Sequence, residues 1–392
     1  MNRSSALKHF DATLAHLRTH QLSGEAGSRL NSARTIYLLA PSSFLGMAFS
    51  GPIAQHLQAQ DCQVVLVDDT LTTAPAGLEG CRLLGTRAFR DERPTHGLAI
   101  NLANSVFVHR LFAAAAASAS IQVLDIVPVL GELGFAVVYQ SALAMRDATL
   151  TRLGDYRSLA GELADALSLQ TLEAFLRLRI TLDRDALLPV LCSLEDEYFS
   201  LFPTGKDDLS FALRRDETLC DVGAHVGSTV RKFLSATHWQ YRAIHAFEPD
   251  KGSYAALTQG PFAGLDNFHA HNLALSDKKG VLSFAETGTM GSRLDAEHGN
   301  VQVPTSTLDD EVPEASFIKM DVEGHETQIL RGARRLISQC TPRMAVTGYH
   351  YADDLLDIVT LLREIDPRYR LRLRHHSFYY YDSIVYADVP SE

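Results

Sequence analysis

Short apolar runs alternate with helical segments in two separate stretches of the chain, and this alternation limits the possible folds more than any other feature. Such runs, separated by helical spans, are typical of parallel βαβ units. The first stretch predicts strands at Thr35–Ala40, Cys62–Asp68, His96–Leu102 and Ile121–Val127. The second predicts strands at Thr218–Val222, Ala243–Phe247, Asn267–Leu273, Val281–Ala285, Ser316–Met320 and Arg343–Tyr349, followed by a pair at Leu371–Arg374 and Ile384–Ala387. Helices are predicted between these strands at Ser228–Ala236, Lys251–Gln259, His325–Gln339 and Ala352–Ile365.

The two series differ in length and loop chemistry, so they predict two α/β units rather than a repeat. With 392 residues the chain is long for a single core. We therefore expect a smaller Rossmann-like domain over residues 1–150, a helical connector over 151–204 and a larger α/β domain over 205–392. A Pro-Thr-Gly turn at Pro203–Gly205 marks the end of the connector.

Composition narrows the partners that the chain can have. No apolar run is long enough for a membrane span, and the N-terminus has no apolar signal region, so we expect a cytoplasmic protein. Five scattered cysteines without a CxxC pair disfavour disulfides and zinc. A net charge of -11 disfavours nucleic acid, and we interpret the basic run Arg368–Arg374 as a half-exposed strand. The expected partner is a small-molecule or glycan acceptor, and a homo-oligomer remains open.

A glycine loop and an acidic residue after successive strands form the strongest candidate binding site. The loop follows the strand Thr218–Val222 in the sequence LCDVGAHVGST, and Glu248 follows the next strand in AFEPD. Glycines let a backbone approach a ligand, and an acid at the strand end can accept ribose hydroxyls. The spacing is GxxxG rather than the dinucleotide GxGxxG. Packing alone could also explain the loop. The candidate cofactor residues here are Asp221, Gly223, Ala224, Gly227, Ser228 and Glu248.

Three further motifs place polar groups after strands. Ser276 and Asp277 end the sequence NLALSD and could frame an adenine, although an ordinary turn explains them equally well. Asp321 and Glu323 follow the strand in FIKMDVEGHE, where acids also stabilise a helix start. His350 closes the strand that ends at Tyr349, at the edge where open α/β sheets bind ligands. A histidine there can also serve packing alone.

In this order, DVGAHVGST, AFEPD, NLALSD, TSTLDD and FIKMDVEGHETQILRGA resemble the FkbM-type methyltransferases over about residues 195–392. The resemblance implies a class I methyltransferase fold, S-adenosyl-L-methionine as donor and methylation of a hydroxyl, with sugars and polyketide-type products among the acceptors. It gives the cofactor role to Asp221, Gly223 and Gly227, the ribose role to Glu248 and the adenine side to Ser276 and Asp277. His225 departs from the family loop, where Asn or Tyr is more common.

The first unit resembles the Rossmann-like modules that precede nucleotide-sugar-modifying enzymes. Its loop Ala40–Gly46 lacks the first glycines of the nucleotide fingerprint, although Asp68 and Asp69 could still contact a ribose. We expect a docking or positioning module rather than a nucleotide site.

Transfer of a methyl group to a sugar hydroxyl benefits from a base that removes its proton. We hypothesise that His350 is this base and that Asp321 and Glu323 orient the acceptor or hold a divalent cation, for which Mg²⁺ suits two carboxylates better than zinc. Two alternatives remain: a nicotinamide-dependent oxidoreductase acting on a nucleotide sugar, and a non-catalytic binding protein with a methyltransferase fold.

Overall fold

The computed structural model describes residues 3–94, 96–202, 210–262, 264–286, 291–294 and 297–390. Two parallel-stranded sheets and one small, mostly antiparallel sheet organise these residues. The predicted α/β class with Rossmann-like parallel sheets is therefore confirmed. The predicted turn at Pro203–Gly205, with the boundary between 204 and 205, lies outside the described residues.

The first sheet is entirely parallel, in the order β3-β2-β1-β4-β5. Its strands are β1 Thr35–Leu39, β2 Gln63–Val67, β3 Arg82–Leu84, β4 Gly97–Asn101 and β5 Gln122–Asp125. Its helices are α3 Phe44–Gln58, α4 Thr86–Arg90, α5 Val106–Ser118 and α6 Ile126–Leu133. Helices cover both faces, which is why the central strands are apolar along their whole length.

The fourth predicted strand of this sheet is too long at its C-terminal end. Ile126 and Val127 begin α6, because the Asp125 carboxylate accepts a hydrogen bond from the Val127 N–H and caps the helix. The short strand β3 has no counterpart among the predictions, since its three residues include an exposed arginine and no alternating pattern.

Helices fill the space beside the two large sheets. They are α1 Arg3–Arg18, α2 Glu25–Ser32, α7 Ala142–Thr151, α8 Leu153–Glu162 and α9 Ala166–Thr181, with two short 3₁₀ turns at Arg184–Leu187 and Leu194–Asp196. The buried face of α1 packs with α8 and α9 in the core of the second sheet. Helix α9 is buried around nearly its whole circumference.

The second sheet has seven strands in the order β15-β16-β14-β13-β6-β7-β8. Its strands are β6 Thr218–Val222, β7 Ala243–Phe247, β8 Phe268–His271, β13 Phe317–Met320, β14 Arg343–Thr347, β15 Arg370–His375 and β16 Ser383–Asp388. Only β16 runs antiparallel to the rest, and it pairs with β14 on one side and with β15 on the other. The helices that follow these strands are α10 Ser228–Ala236, α11 Lys251–Gln259, α13 Glu326–Arg331, α14 Arg334–Cys340 and α15 Asp354–Ile365.

Two features of this unit differ from the sequence prediction. The single helix expected at residues 325–339 is broken between α13 and α14, where a Cβ on Gly332 would overlap with the carbonyl oxygen of Ser276. The basic strand is buried rather than half-exposed: Arg372 and Arg374 are 5% and 1% exposed. Arg374 donates to the Asp165 carboxylate at 2.8 Å, and this ion pair makes burial of the guanidinium tolerable.

A third, small sheet in the order β11-β10-β12-β9 lies between β8 and β13 in the chain. Its strands are β9 Ala274–Leu275, β10 Gly280–Ala285, β11 Arg293–Leu294 and β12 Val301–Ser306, and helix α12 Leu308–Glu311 follows them. The loop between β15 and β16 crosses to the first sheet, whose core includes Tyr379 and Tyr380. Arg184 also connects this loop to the first sheet, because it donates to the Phe378 carbonyl and to the Ala103 carbonyl and the Asp125 carboxylate.

Candidate functional site

A cavity of about 850 Å³ lies between the two large sheets, over the carboxyl ends of their strands. One wall comes from the second sheet, after β6, β7, β13 and β14. The opposite wall comes from the first sheet and from the segment between α6 and α7, with residues such as Phe44, Asn104 and Tyr139. Ligand sites of α/β sheets lie at this edge, so the fold brings the predicted motifs to one place.

The glycine loop after β6 follows a path that only glycine permits. Gly223 and Gly227 have φ values of 79° and 85°. A Cβ on Gly223 would overlap with the Asp321 carbonyl oxygen, and one on Gly227 would overlap with the Phe262 ring. Gly223 and Ser228 line the cavity, whereas Ala224 and Gly227 are not on its wall. Backbone packing therefore accounts for Gly227, and close approach to a ligand remains a role for Gly223.

Glu248 lies on the cavity wall after β7, as expected. Its two carboxylate oxygens accept hydrogen bonds from the His225 N–H at 2.7 Å and the Asp250 N–H at 2.8 Å. Burial raises the pKa of this carboxyl to about 7, against the effect of those two backbone donors. These bonds fix the side chain at the strand end, and each oxygen keeps a lone pair for a further donor.

Asp221 lies beneath the loop rather than on the cavity wall. It is fully buried, and its partner is Lys319, whose Nζ lies 3.2 Å from Asp221 Oδ1. The same ammonium donates to the Gly223 carbonyl at 2.7 Å and faces the cavity. Burial lowers the pKa of Lys319, but the carboxylates of Asp221 and Asp321 outweigh it and the net pKa is raised. This ion pair therefore supports the loop from below.

Asp321 and Glu323 both reach the cavity, as the sequence predicts. Asp321 accepts a hydrogen bond from the Tyr198 hydroxyl at 2.8 Å, and Glu323 accepts one from the Tyr139 hydroxyl at 2.6 Å. Glu323 has a φ of 60°, a left-handed conformation that costs a non-glycine residue free energy. The two tyrosines thus hold both carboxylates in place, and Tyr139 does so from outside the second sheet.

His350 does not reach the cavity wall and is 0% exposed. Its Nε2 lies 3.1 Å from Glu323 and 3.4 Å from Asp321, while its Nδ1 lies 3.3 Å from Glu326. Burial lowers the pKa of this imidazole, but the three carboxylates outweigh it and raise the pKa well above its usual value. An imidazolium with both nitrogens facing carboxylates is a poor base. This placement corrects the expectation that His350 faces the acceptor.

The same geometry tests the expected cation site. Asp321, Glu326 and His350 offer ligand atoms that all lie within 4.8 Å of one another. However, the imidazole lies against both Asp321 and Glu323, the two carboxylates predicted to bind Mg²⁺. Mg²⁺ prefers oxygen ligands and retains several waters, whereas an imidazole nitrogen lies within 3.4 Å of both predicted carboxylates and takes a ligand position there. These residues do not fit the predicted magnesium site.

Ser276 and Asp277 are not on the cavity wall either. The Ser276 hydroxyl lies 2.9 Å from His325 Nε2, and the neighbouring Asn272 donates to the carbonyl oxygens of Glu248 and Pro249. The motif NLALSD thus braces the loop of Glu248, while its apolar part, Leu273–Leu275, lines the cavity.

The sequence analysis did not single out most of the cavity residues, and four of those it missed are ionisable: Glu197, Lys319, Tyr139 and Asp382. Burial raises the pKa of Glu197 to about 7, and burial together with Glu197 and Asp321 raises that of Asp382 well above its usual value. Asp382 also has a φ of 61°. Lys319 could have been found, because it interrupts the apolar strand FIKM. The other three lie in segments without any pattern.

The two acids after the second strand of the first sheet are hydrogen-bonded within their own unit. One oxygen of Asp68 accepts from Ser42 and the other from Thr70, through both backbone and side chain. Asp69 accepts from the Thr86 N–H, and a Cβ on Gly46 would overlap with the Ala40 carbonyl. The acids that could contact a ribose are therefore hydrogen-bonded to neighbouring loops, and the positioning role of this unit stays a prediction.

Comparison with known proteins agrees with this geometry. The model of the methyltransferase FkbM domain matches residues 221–370, which contain the glycine loop, Glu248, Asp321 and Glu323. The chain carries an FkbM methyltransferase domain. The FkbM domain begins at the end of β6 and ends at the start of β15, so the first sheet and the segment of Tyr139 lie outside it.

Two relatives extend the comparison. Hexuronic acid methyltransferase AglP of Haloferax volcanii is 26% identical over 156 residues, which are 38% of this chain and 62% of the length of AglP. The crystal structure of the methyltransferase FkbM from Methylobacillus flagellatus KT has a TM-score of 0.74 and 22% identity. That likeness covers 98% of this chain and 100% of the other, so the fold on both sides of the cavity is shared. No helix among the described residues is long and apolar enough to cross a membrane.

Proposed function

We propose that the chain is an S-adenosyl-L-methionine-dependent O-methyltransferase that acts on a hydroxyl group of a sugar, a polysaccharide or a related natural product. The single observation that carries the proposal is the cavity of the FkbM domain. Gly223 and Glu248 lie towards one end of it, and Asp321 and Glu323 lie after a strand on the other side of β6. The first pair suits a nucleoside and the second pair suits hydroxyl groups.

At the donor end, the residues fit an adenosyl ligand. Glu248 is positioned by two backbone donors and can accept hydrogen bonds from both ribose hydroxyls. Gly223 keeps the wall open beside it, and Lys319 with Asp221 fixes the loop backbone. The donor supplies an activated methyl group, so the chain has to align the acceptor with it and exclude water.

At the acceptor end, we propose that Asp321 and Glu323 orient the hydroxyl and that Asp382 takes its proton. The hydroxyl oxygen forms a bond to the methyl carbon as the carbon–sulfur bond breaks, and the proton passes to the Asp382 carboxylate. Asp382 lies on the cavity wall, and a positioned carboxylate can act as a general base. His350 then acts as the fixed positive charge that holds Asp321 and Glu323, not as the base.

Calorimetry with S-adenosylhomocysteine tests the donor site. We expect heat with about one ligand per chain, and none with NAD, because neither glycine loop has the dinucleotide spacing. An absence of heat with S-adenosylhomocysteine would contradict the proposal, and heat with NAD alone would favour the oxidoreductase alternative. Methyl transfer to a panel of sugars, followed as release of S-adenosylhomocysteine, separates an enzyme from a binding protein.

A further inference from the structure

The two ends of the cavity lie on different strands of the second sheet. Gly223 and Glu248 follow β6 and β7, whereas Glu323 follows β13 and Tyr349 follows β14. The sheet order β14-β13-β6-β7 puts three strand spacings between its two outer strands, or about 14 Å. If the proposed function holds, the donor occupies the β6–β7 end, and the β13–β14 end is left for the acceptor.

Negative charge dominates the acceptor end. Asp321, Glu323 and Glu326 surround one imidazolium, that of His350, at 3.1–3.4 Å. Three carboxylates around one cation leave two negative charges unbalanced. Asp382 shares this wall, and its pKa is raised by burial and by the nearby carboxylates, as expected for a group in a negative field.

The cations of the wall do not reverse this balance. Lys319 is paired with the buried Asp221. Lys232 donates to the carbonyl oxygen of Glu197, and the carboxylate of Glu197 offsets its charge. Arg293 lies over the ring of Tyr139 at 4.4 Å, the tyrosine that donates to Glu323, and adds one positive charge against two negative ones.

Aromatic rings complete the acceptor end. Tyr381 contacts Tyr349 at a centroid distance of 5.9 Å, Tyr379 at 4.9 Å and Phe44 at 5.8 Å. All four residues line the cavity, and Phe44 belongs to the first sheet unit. The C–H faces of a pyranose ring stack on such rings while its hydroxyls donate to carboxylates. Both halves of the molecule therefore contribute to one sugar-sized surface.

From this combination of unbalanced carboxylates and aromatic rings, we propose that the acceptor site selects an uncharged sugar residue and rejects a uronic acid. The proposal rests on the proposed function and deepens it. A carboxylate at about 6 Å from one unbalanced charge, at an effective dielectric constant of 20, loses affinity by a factor on the order of 10². The relative AglP is named for a hexuronic acid, so the two proteins would differ in acceptor charge.

Matched pairs of acceptors test the proposal on the full-length protein. Methyl glucoside is compared with methyl glucuronide, and methyl galactoside with methyl galacturonide, because each pair differs only in the carboxylate. The readouts are release of S-adenosylhomocysteine and, by calorimetry, binding to the protein saturated with S-adenosylhomocysteine. We expect the neutral member of at least one pair to be preferred by tenfold or more.

Variants then assign the preference to the acidic wall. Glu323→Gln removes one negative charge with little change in shape. It should lower the preference for the neutral sugar over the uronide several-fold. Glu364→Gln, a surface residue paired with Arg334, is the matched control and should leave the ratio unchanged. Thermal unfolding of each variant verifies that it folds. If Glu323→Gln does not fold, the ratio of neutral to acidic acceptor use by the wild-type protein decides whether the inference holds.

The outcomes separate this inference from the proposed function. Equal use or preference of the uronides would overturn the inference, as would binding of S-adenosylhomocysteine without binding or methylation of any neutral sugar. In both cases the donor site would stand. No heat with S-adenosylhomocysteine would instead refute the proposed function and the inference with it.

Discussion

Replacing Glu248 with glutamine separates the donor site from a packing role for this acid. The wild-type carboxylate accepts two backbone N–H groups, from His225 and Asp250. In Glu248→Gln one oxygen remains to accept, but the amide NH₂ faces the other N–H. The ribose then loses a hydrogen bond to a charged acceptor, which costs about 1.5–3 kcal/mol. Affinity for S-adenosylhomocysteine should therefore fall by roughly 10- to 100-fold.

The pH dependence of binding adds a second signature. With the pKa of Glu248 at about 7, protonation competes with ribose hydroxyls that need the ionised form. Wild-type affinity should rise from pH 6 to pH 8, by up to about tenfold per unit below the pKa. The glutamine variant, which does not titrate, should show a flat profile over this range.

The same shift predicts the stability of the ligand-free protein. A carboxyl whose pKa is raised from 4.5 to about 7 on folding stabilises the protein below pH 4.5. That contribution is lost as the pH rises through 7, and the variant lacks it.

Calorimetry at pH 6, 7 and 8 measures the affinity of both proteins for S-adenosylhomocysteine. An affinity within threefold of wild type, or the same pH slope in both proteins, would refute the ribose role.

Three further substitutions test the buried groups around the cavity. His350→Gln should lower the free energy of unfolding by about 3–5 kcal/mol in urea titrations, because its three carboxylates lose their shared cation; a change below 1 kcal/mol would argue against the charge cluster. Lys319→Met leaves Asp221 buried without a partner and should weaken both stability and donor affinity; retention of both would show that the pair does not support the loop. Tyr139→Phe removes the hydroxyl that holds Glu323 and should raise the acceptor KM several-fold while donor affinity stays constant; an unchanged acceptor KM would remove Tyr139 from the site.

Local sequence patterns were sufficient to predict most of the second sheet. The bounds of β6, β7, α10 and α11 agree with the predictions at both ends, because each segment carries its own apolar pattern. A glycine or an acid directly follows β6, β7 and α11. The failures lie where tertiary contacts decide. Gly332 breaks a helix because another chain segment lies against it, and the strand of Arg372 and Arg374 is buried because Asp165, far away in sequence, neutralises part of its charge.

The candidate site was predictable only where its residues follow strands. Asp321 and Glu323 reach the cavity because the end of a parallel strand fixes their position. Tyr139 and Asp382 lie in irregular segments whose path is set by packing between the two halves of the molecule. No periodicity could have predicted that Tyr139 donates to a carboxylate 184 positions away.

The case of His350 shows why a residue type at the right strand end does not establish a chemical role. Position alone made this histidine a candidate base, since the strand before it ends at the ligand-binding edge. The role depends on the charges around the ring, and these come from Asp321, Glu323 and Glu326, which follow a neighbouring strand. Parallel pairing of β13 with β14 brings the two motifs together. The carboxylates that this pairing brings to His350 raise its pKa and also leave the cavity wall with an excess of negative charge. One arrangement of charges therefore makes His350 unsuited to act as a base and accounts for the proposed rejection of an acidic acceptor.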